Sequence, residues 1–297
     1  MIKIIDLHFQ GHTRTIAVFL VETSAGPVLV ETGPHSTFPA LKDGINRCGY
    51  SLKEIQHVFL THIHFDHGGA AWEFAARGAT VYLHPLGAWH FAHPEKLYAS
   101  AIRIYQEKMD TLWGALNPIP ENLLRAVEDE EAVQVGDMTF QALHTPGHAI
   151  HHIAWQVGEV VFTGDAGGIC IGGGAVMPPC PPPDINVGEW LASIELIAKR
   201  NPAALYLTHF GRVDAVAEHL AALKKELKEW AMWMKPHFDS GTDPKDLTPV
   251  FQKYVADKLQ SQGITGEDLT RYEEANPSWM SVTGLLRFWR KWGDNFS

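Results

Sequence analysis

Residues 61–69 read Thr-His-Ile-His-Phe-Asp-His-Gly-Gly, which places His62, His64, Asp66 and His67 within six positions. Neutral imidazole together with carboxylate is the donor set that divalent zinc, iron or manganese accepts. The chemistry open to such a cluster is therefore that of a bound metal ion. A histidine-rich solvated turn is the plainer reading, and it requires the apolar residues just upstream to lead nowhere.

Just upstream, Val58-Phe59-Leu60 reads as a short buried strand, and Gly68-Gly69 followed by Ala70–Ala76 reads as a helix start. The four side chains therefore sit on a strand-to-helix turn. On extended backbone His62 and His64, two apart, point to the same side. Asp66 and His67 lie past the bend and reach a second point nearby.

An H-x-H-x-D-H run after an apolar strand resembles the signature of the metallo-β-lactamase-fold superfamily. That resemblance implies an α/β fold, an αββα sandwich, and three further ligands at strand ends in the order His, Asp, His. The chain supplies all three. His148 closes His144-Thr145-Pro146-Gly147-His148 after the strand-like Met138–Leu143. Asp165 ends Phe162-Thr163-Gly164-Asp165 after Glu159–Val161. His209 lies in Leu207-Thr208-His209-Phe210-Gly211 after Ala204–Tyr206. The similarity covers residues 1 to about 212 and implies a catalytic domain over 1–212, with residues 213–297 forming a C-terminal helical extension packed on it. Glu31, in Glu31-Thr32-Gly33-Pro34-His35, stands where the superfamily more commonly has Asp; it is expected to fix a turn or a ligand rather than bind metal.

In the dinuclear members that this sequence resembles, His62, His64 and His148 would bind one ion. Asp66, His67 and His209 would bind the other, and Asp165 would bridge them. Two divalent metal ions per chain are implied, zinc leading, with iron or manganese also suited to nitrogen and oxygen ligands. Such a pair stands about 3.5–4 Å apart and lowers the pKa of a shared water from about 15.7 toward 7. The resemblance thus implies a metal-dependent hydrolase in which a bridging hydroxide cleaves a carbonyl ester, thioester or lactone. Asp66 is the candidate catalytic residue, steering or relaying a proton to the leaving group. Within the superfamily, glyoxalase II-type thioesterases and acyl-homoserine-lactone lactonases share all seven ligand types. The nearest likeness is to a hydrolase-like subgroup whose substrate is unsettled. The alternatives are a mononuclear iron-dependent sulfur dioxygenase, whose relatives generally lack the last histidine, and a phosphodiesterase. A flavodiiron-type oxidoreductase usually has Glu in place of His64 and carries a flavin domain. A non-catalytic binding protein usually loses ligands, and none is lost here.

Composition bounds the partners. Lys and Arg number 24 against 34 Asp and Glu, a formal charge of −10, with 45% apolar and 20% charged residues. An acidic chain without a long basic run argues against nucleic acid, so a small-molecule substrate is expected. No window approaches about 18 uninterrupted apolar residues, and no membrane span is expected. Met1–Asp6 is too soon charged for a secretion signal, and three cysteines without C-x-x-C spacing fit a reducing compartment, so the cytoplasm is the expected location.

The remaining elements frame the cluster. Ile2, Ile4, then Ile16, Val18 and Leu20 fit half-buried strands that turn at Ser24–Pro27 and return along Val28–Glu31. Pro39–Gly49 reads as a helix. Within 85–131, spacings of three and four from Tyr98 to Leu112 predict one buried helix face. His84, His90 and His93 are assigned to surface or substrate contact. Of His151 and His152, neighbours on a strand, at most one can face the site. The Gly- and Pro-rich stretch 166–184 is a long loop anchored at both ends, close to the metals and expected to be functional. Asp184–Arg200 is a helix with Trp190, Leu191, Ile194 and Ile197 on one stripe. Thr248-Pro249 and Asn276-Pro277 each read as N-cap and N1 of helices in the extension. Five of the ten tryptophans lie beyond residue 228, a stripe suited to core or to a homo-oligomer contact.

Overall fold

A computed structural model describes residues 1–293; the last four residues of the predicted extension lie outside the described residues. Strands β1 (Ile2–Asp6), β2 (Ala17–Thr23), β3 (Gly26–Val30), β4 (His57–Phe59), β5 (Thr80–Leu83) and β6 (Leu124–Ala126) pair in that order into one sheet. A second sheet runs β12-β11-β10-β9-β8-β7, from β7 (Ala132–Val135), β8 (Met138–His144), β9 (Ile153–Val157), β10 (Val160–Phe162), β11 (Ala204–Leu207) and β12 (Gly211–Val213).

The two-residue period of a strand explains why two sheets stack. In β2, Ala17, Phe19 and Val21 point into the layer between the sheets, while Val18 and Leu20 point to the outer face. All five are buried. The inner layer is aromatic: Phe59 stacks on Tyr82 and Phe140 with ring centroids 4.4 and 4.1 Å apart, and meets Trp155 edge-on at 4.9 Å. Each fully buried ring of this kind contributes about 1.5–3 kcal/mol through burial.

Helices cover both outer faces. On the first sheet lie α1 (Phe38–Arg47), α2 (Phe65–Gly68), α3 (Ala71–Ala75), α4 (Pro85–Ala92), α5 (Glu95–Tyr105) and α6 (Met109–Leu112); Leu41, Ile45, Phe74 and Phe91 bury against Val58, Val81 and Leu83. The second sheet is covered by α7 (Val187–Lys199), α8 (Val216–Asp239), α9 (Pro244–Ser261), α10 (Glu267–Ala275) and α11 (Ser278–Trp292). Leu143, Ala154, Val161 and Leu205 of that sheet share one apolar cluster with Trp190, Leu223, Trp230, Phe251 and Leu285. The order of layers is α, β, β, α, as the sequence resemblance implies. With both faces covered, a strand such as β11 is buried at every position and reads as an unbroken apolar run.

Strands β3, β4 and β5 are mutually parallel, and β10 is parallel to β11; β8 runs the same way because β9 opposes both β8 and β10. The turns leaving β3, β4, β8, β10 and β11 consequently meet on one rim. The chain reverses sharply at Gly147 (φ +127°), where a Cβ would collide with the Trp190 backbone; only glycine lets α7 approach this turn.

Several sequence expectations are corrected. Tyr98–Leu112 is not one buried helix: the chain breaks at Gln106 (φ 49°), Ala101 and Met109 turn inward, and Ile102 and Ile104 are exposed. Ile5, rather than Ile4, faces the core of β1. Helix α9 starts five residues before Pro249, because Asp243 caps it by accepting from Lys245 N and Pro244 takes the first turn; Pro249 is interior and Thr248 Oγ1 donates back to Pro244 O. Pro277, not Asn276, is the N-cap of α11. His84 is buried, not superficial; it caps α4 by accepting from Leu86 N at 3.1 Å. The 166–184 stretch is the loop expected, anchored at both ends, and it is folded into the molecule with Ile169 bridged to Met177 and Cys180 fully buried. No helix among the described residues is long and apolar enough to cross a membrane.

Candidate metal centre

All seven predicted donors converge on the rim. Donor atoms lie within 4.8 Å of one another in three groups: His62, His64 and His148; Asp66, His67 and His209; and His62, His67 and Asp165. His62 and His64 leave the extended end of β4, and Asp66 and His67 follow on the single turn of α2. His62 Nε2 and His148 Nε2 stand 2.8 and 3.1 Å from His64 Nδ1. His67 Nε2 and His209 Nε2 stand 3.8 and 3.5 Å from Asp66 Oδ2.

Asp165 lies between the two triads. Its Oδ1 is 3.3 Å from His67 Nε2 and 3.5 Å from His209 Nε2, while Oδ2 is 3.3 Å from His148 Nε2. One oxygen is thus turned to each set.

The far nitrogens of the imidazoles fix which near nitrogen carries a lone pair. His148 Nδ1 donates to Pro179 O at 2.9 Å and His209 Nδ1 to Thr15 O at 2.7 Å. His67 Nδ1 donates to Glu31 Oε1 at 2.9 Å. Thr61 Oγ1 donates to Glu31 Oε1 at 2.5 Å, which leaves it to accept from His62 Nδ1 at 3.0 Å. Four Nε2 atoms therefore face inward as acceptors, the arrangement that holds ligating histidines in register.

Glu31 is the hub that motif spacing alone does not reveal. It is fully buried with φ 69°, immediately after β3. Its carboxylate also accepts from Thr61 N at 3.3 Å and Thr208 Oγ1 at 3.3 Å. The expectation that it fixes ligands rather than binding metal agrees with these contacts.

Burial, followed by the neighbouring imidazoles, holds His62 well below the ordinary histidine range and His64 down to about 3. Burial also lowers His148, against the pull of Asp165. These imidazoles are neutral at physiological pH, which is the ligating form. Burial alone would raise both carboxyls, but His67 and its neighbours hold Asp66 down to about 2 and Asp165 well below the usual carboxylate range. Burial alone would lower His67 and His209; Asp165 and Asp66 outweigh it and push both up, more strongly at His67.

The donor set fits cations. His67 Nε2, His209 Nε2 and Asp165 Oδ1 are buried and have no hydrogen-bond partner among the described residues. Each such orphan costs about 1–3 kcal/mol, more where charged, and the three point at common ground. An ion held among them would satisfy all three.

Two neighbours are separated by the structure. The His151 ring lies 6.2 Å from His62 and 5.8 Å from His64, with Nδ1 unpartnered among the described residues. The His152 ring stacks on His62 with centroids 5.0 Å apart, but both its nitrogens are used elsewhere: Nδ1 donates to Thr145 Oγ1 at 2.8 Å, and Nε2 accepts from Ala166 N at 3.3 Å, bracing the His148 turn against the Asp165 turn. His93 is at the surface near Glu121. His90 is half-buried.

Known proteins resemble this chain in sequence and in fold. The family model described as the metallo-beta-lactamase superfamily matches residues 13–209. The metallo-beta-lactamase fold-containing protein ST1585 of Sulfurisphaera tokodaii is 27% identical over 185 residues, covering 60% of this chain and 70% of that protein. The atrochrysone carboxyl ACP thioesterase of Pseudocercospora fijiensis is 25% identical over 170 residues, covering 57% of this chain; the match spans 39% of that longer protein. Among solved structures, the metallo-beta-lactamase family protein TTHA1429 from Thermus thermophilus superimposes with a TM-score of 0.71 at 20% identity, covering 98% of this chain and 94% of the other. At that identity the likeness is one of fold.

Proposed function

This chain belongs to the metallo-beta-lactamase superfamily, and from that premise we propose that it is a metal-dependent hydrolase that cleaves a carbonyl ester, thioester or lactone with two divalent ions held on its rim. The observation that carries the reading is Asp165, whose two oxygens are turned to two complete triads of donors. His209, placed beside Asp66 and His67, argues for a second ion and against a mononuclear iron dioxygenase.

His62, His64 and His148 would hold one ion, and Asp66, His67 and His209 the other, with Asp165 between them. Two such dications supply a water acidified toward neutrality and a Lewis acid for the carbonyl oxygen. The chain's own residues do the rest. Glu31, Thr15 and Pro179 keep the imidazole lone pairs inward. Asp66 remains about one-fifth exposed while Asp165 is almost fully enclosed, so Asp66 is the carboxylate placed to pass a proton to a departing group. The thioesterase relative supports acyl chemistry; that relative's own substrate stays with it. Zinc leads, and iron or manganese suit the same donors. No nucleic-acid or membrane partner is proposed, and a small molecule is the expected substrate of a chain with net charge −10.

Metal analysis of purified protein, followed by turnover on a panel of thioesters, lactones and phosphodiesters, tests the reading. Two ions per chain with turnover of a thioester or lactone is the expected result. One iron per chain with oxygen consumption overturns it, and turnover confined to phosphodiesters moves the activity to the other hydrolytic branch.

A further inference from the structure

We infer that the C-terminal helices α10 and α11 are part of the metal centre's support: they clamp the two backbone carbonyls that orient His148 and His209, one for each triad. This rests on the dinuclear reading above and extends it to residues far from any ligand in sequence.

The first clamp acts on Pro179. Its carbonyl accepts from His148 Nδ1 at 2.9 Å, and the residues on either side of it are bonded to the C-terminal helices. Asn276 Nδ2, at the end of α10, donates to Pro178 O at 3.3 Å. Cys180 N donates to Ser281 Oγ on α11 at 3.3 Å, and Ser281 Oγ donates to Asn276 Oδ1 at 2.9 Å. Asn276 and Ser281 thereby form one buried unit. Gly284 carries α11 so close to Cys180 O that a Cβ there would collide with it. Arg287 Nε adds a bond to Pro183 O at 2.9 Å. A proline-rich segment cannot organise itself through its own N–H groups, since proline has none, so its carbonyls stay in place only if something outside holds them.

The second clamp acts on Thr15. Its carbonyl accepts from His209 Nδ1 at 2.7 Å, at the end of an irregular stretch in which Arg14 has φ 62°. Helix α10 grips that stretch at three successive residues. Arg14 Nη2 pairs with Asp268 Oδ1 at 3.1 Å, Arg271 Nη2 donates to Thr13 Oγ1 at 3.3 Å, and His12 Nε2 lies 3.3 Å from Glu274 Oε1. Arg271 is nearly buried and is itself held by Asp268 at 2.5 Å and Glu267 at 2.7 Å.

The partners of ligating histidines typically set metal affinity by about 10–100-fold. Here those partners are main-chain carbonyls, so the adjustable elements are the side chains that hold the main chain. Asn276, Ser281, Asp268 and Arg271 are accordingly positioning residues, not ligands.

The test uses the full chain, loaded stepwise with zinc in competition with a chelator. Asn276→Ala and the milder Ser281→Ala should weaken one of the two zinc-binding steps by about tenfold, and Asp268→Ala the other by a similar factor. In the cobalt(II)-loaded protein, the Nδ1 proton resonance of His148 should move in the first two variants and that of His209 in the third. Thermal unfolding of metal-free protein separates this from a general loosening, which would lower all melting temperatures and weaken both steps alike. Two zinc steps of wild-type strength in all three variants, or equal weakening of both, overturns this inference while the dinuclear centre stands. A wild type that retains no metal overturns the centre and this inference with it.

Discussion

At the scale of single residues, what distinguishes the donors from their neighbours is the fate of the second polar atom. His67, His148 and His209 each spend Nδ1 on an acceptor outside the cluster and turn Nε2 into it, whereas His152 uses both nitrogens outside the cluster and is satisfied. Asp165→Ala should therefore abolish turnover and metal retention together; full metal with full turnover would refute the bridging role. His151→Ala should leave metal stoichiometry at the wild-type value, read by elemental analysis, because its ring flanks the donors without joining a triad. Glu31→Gln removes the charge that draws the protons of His67 and, through Thr61, His62. Its zinc affinity should fall by about 10–100-fold with the fold retained by circular dichroism. The convergence of these seven side chains was legible because the H-x-H-x-D-H run after an apolar strand resembles a known signature, and that resemblance implied a His, an Asp and a His just past three later apolar runs. Thr15 and Pro179 were not, since every residue carries a carbonyl and nothing in a side chain marks the one that is used.

At the scale of elements, strands were easier to read than helices. A strand covered on both faces has no freedom in composition, so Val58–Leu60 and Ala204–Tyr206 declare themselves. Burial is only partial along the 95–112 segment: Leu97 and Leu112 pack against the first core cluster while Ile102 and Ile104 are exposed. There a period of three to four continues in the sequence while the backbone breaks at Gln106. Pro249 misled for a local reason: Asp243-Pro244 offers the stronger cap and first turn, leaving the later proline inside α9. His84 shows that a histidine can cap a helix as Asn does. Burial, then the neighbouring His144, opposed by Asp129, pushes His84 down to about 4. Below the ordinary histidine pKa of about 6.5 the unfolded chain binds the extra proton first, so this group withdraws stability as pH falls from about 6.5 to 4 and is neutral above. His84→Asn keeps an acceptor for Leu86 N but does not titrate. Its melting temperature should fall less steeply than wild type across that window, and parallel pH profiles would remove His84 from the account.

At the scale of the whole molecule, the helices beyond residue 215 share an apolar cluster with β8–β11, and through α10 and α11 they reach the turns that orient two donors. The donors themselves are divided between the halves of the sandwich. His62, His64, Asp66 and His67 leave the first sheet, and His148, Asp165 and His209 leave the second. Any ion shared among them staples one half to the other along an open seam, much as a cross-link would. Loaded protein should then melt higher than chelated protein, the gap widening with free zinc as mass action requires, and proteolysis should start at the rim only once the ions are gone. Equal melting of loaded and stripped protein would mean that the halves close without the staple. Ions that carried out the proposed chemistry would also be the fasteners of the sandwich, so starving the protein of metal would cost it rigidity as well as turnover.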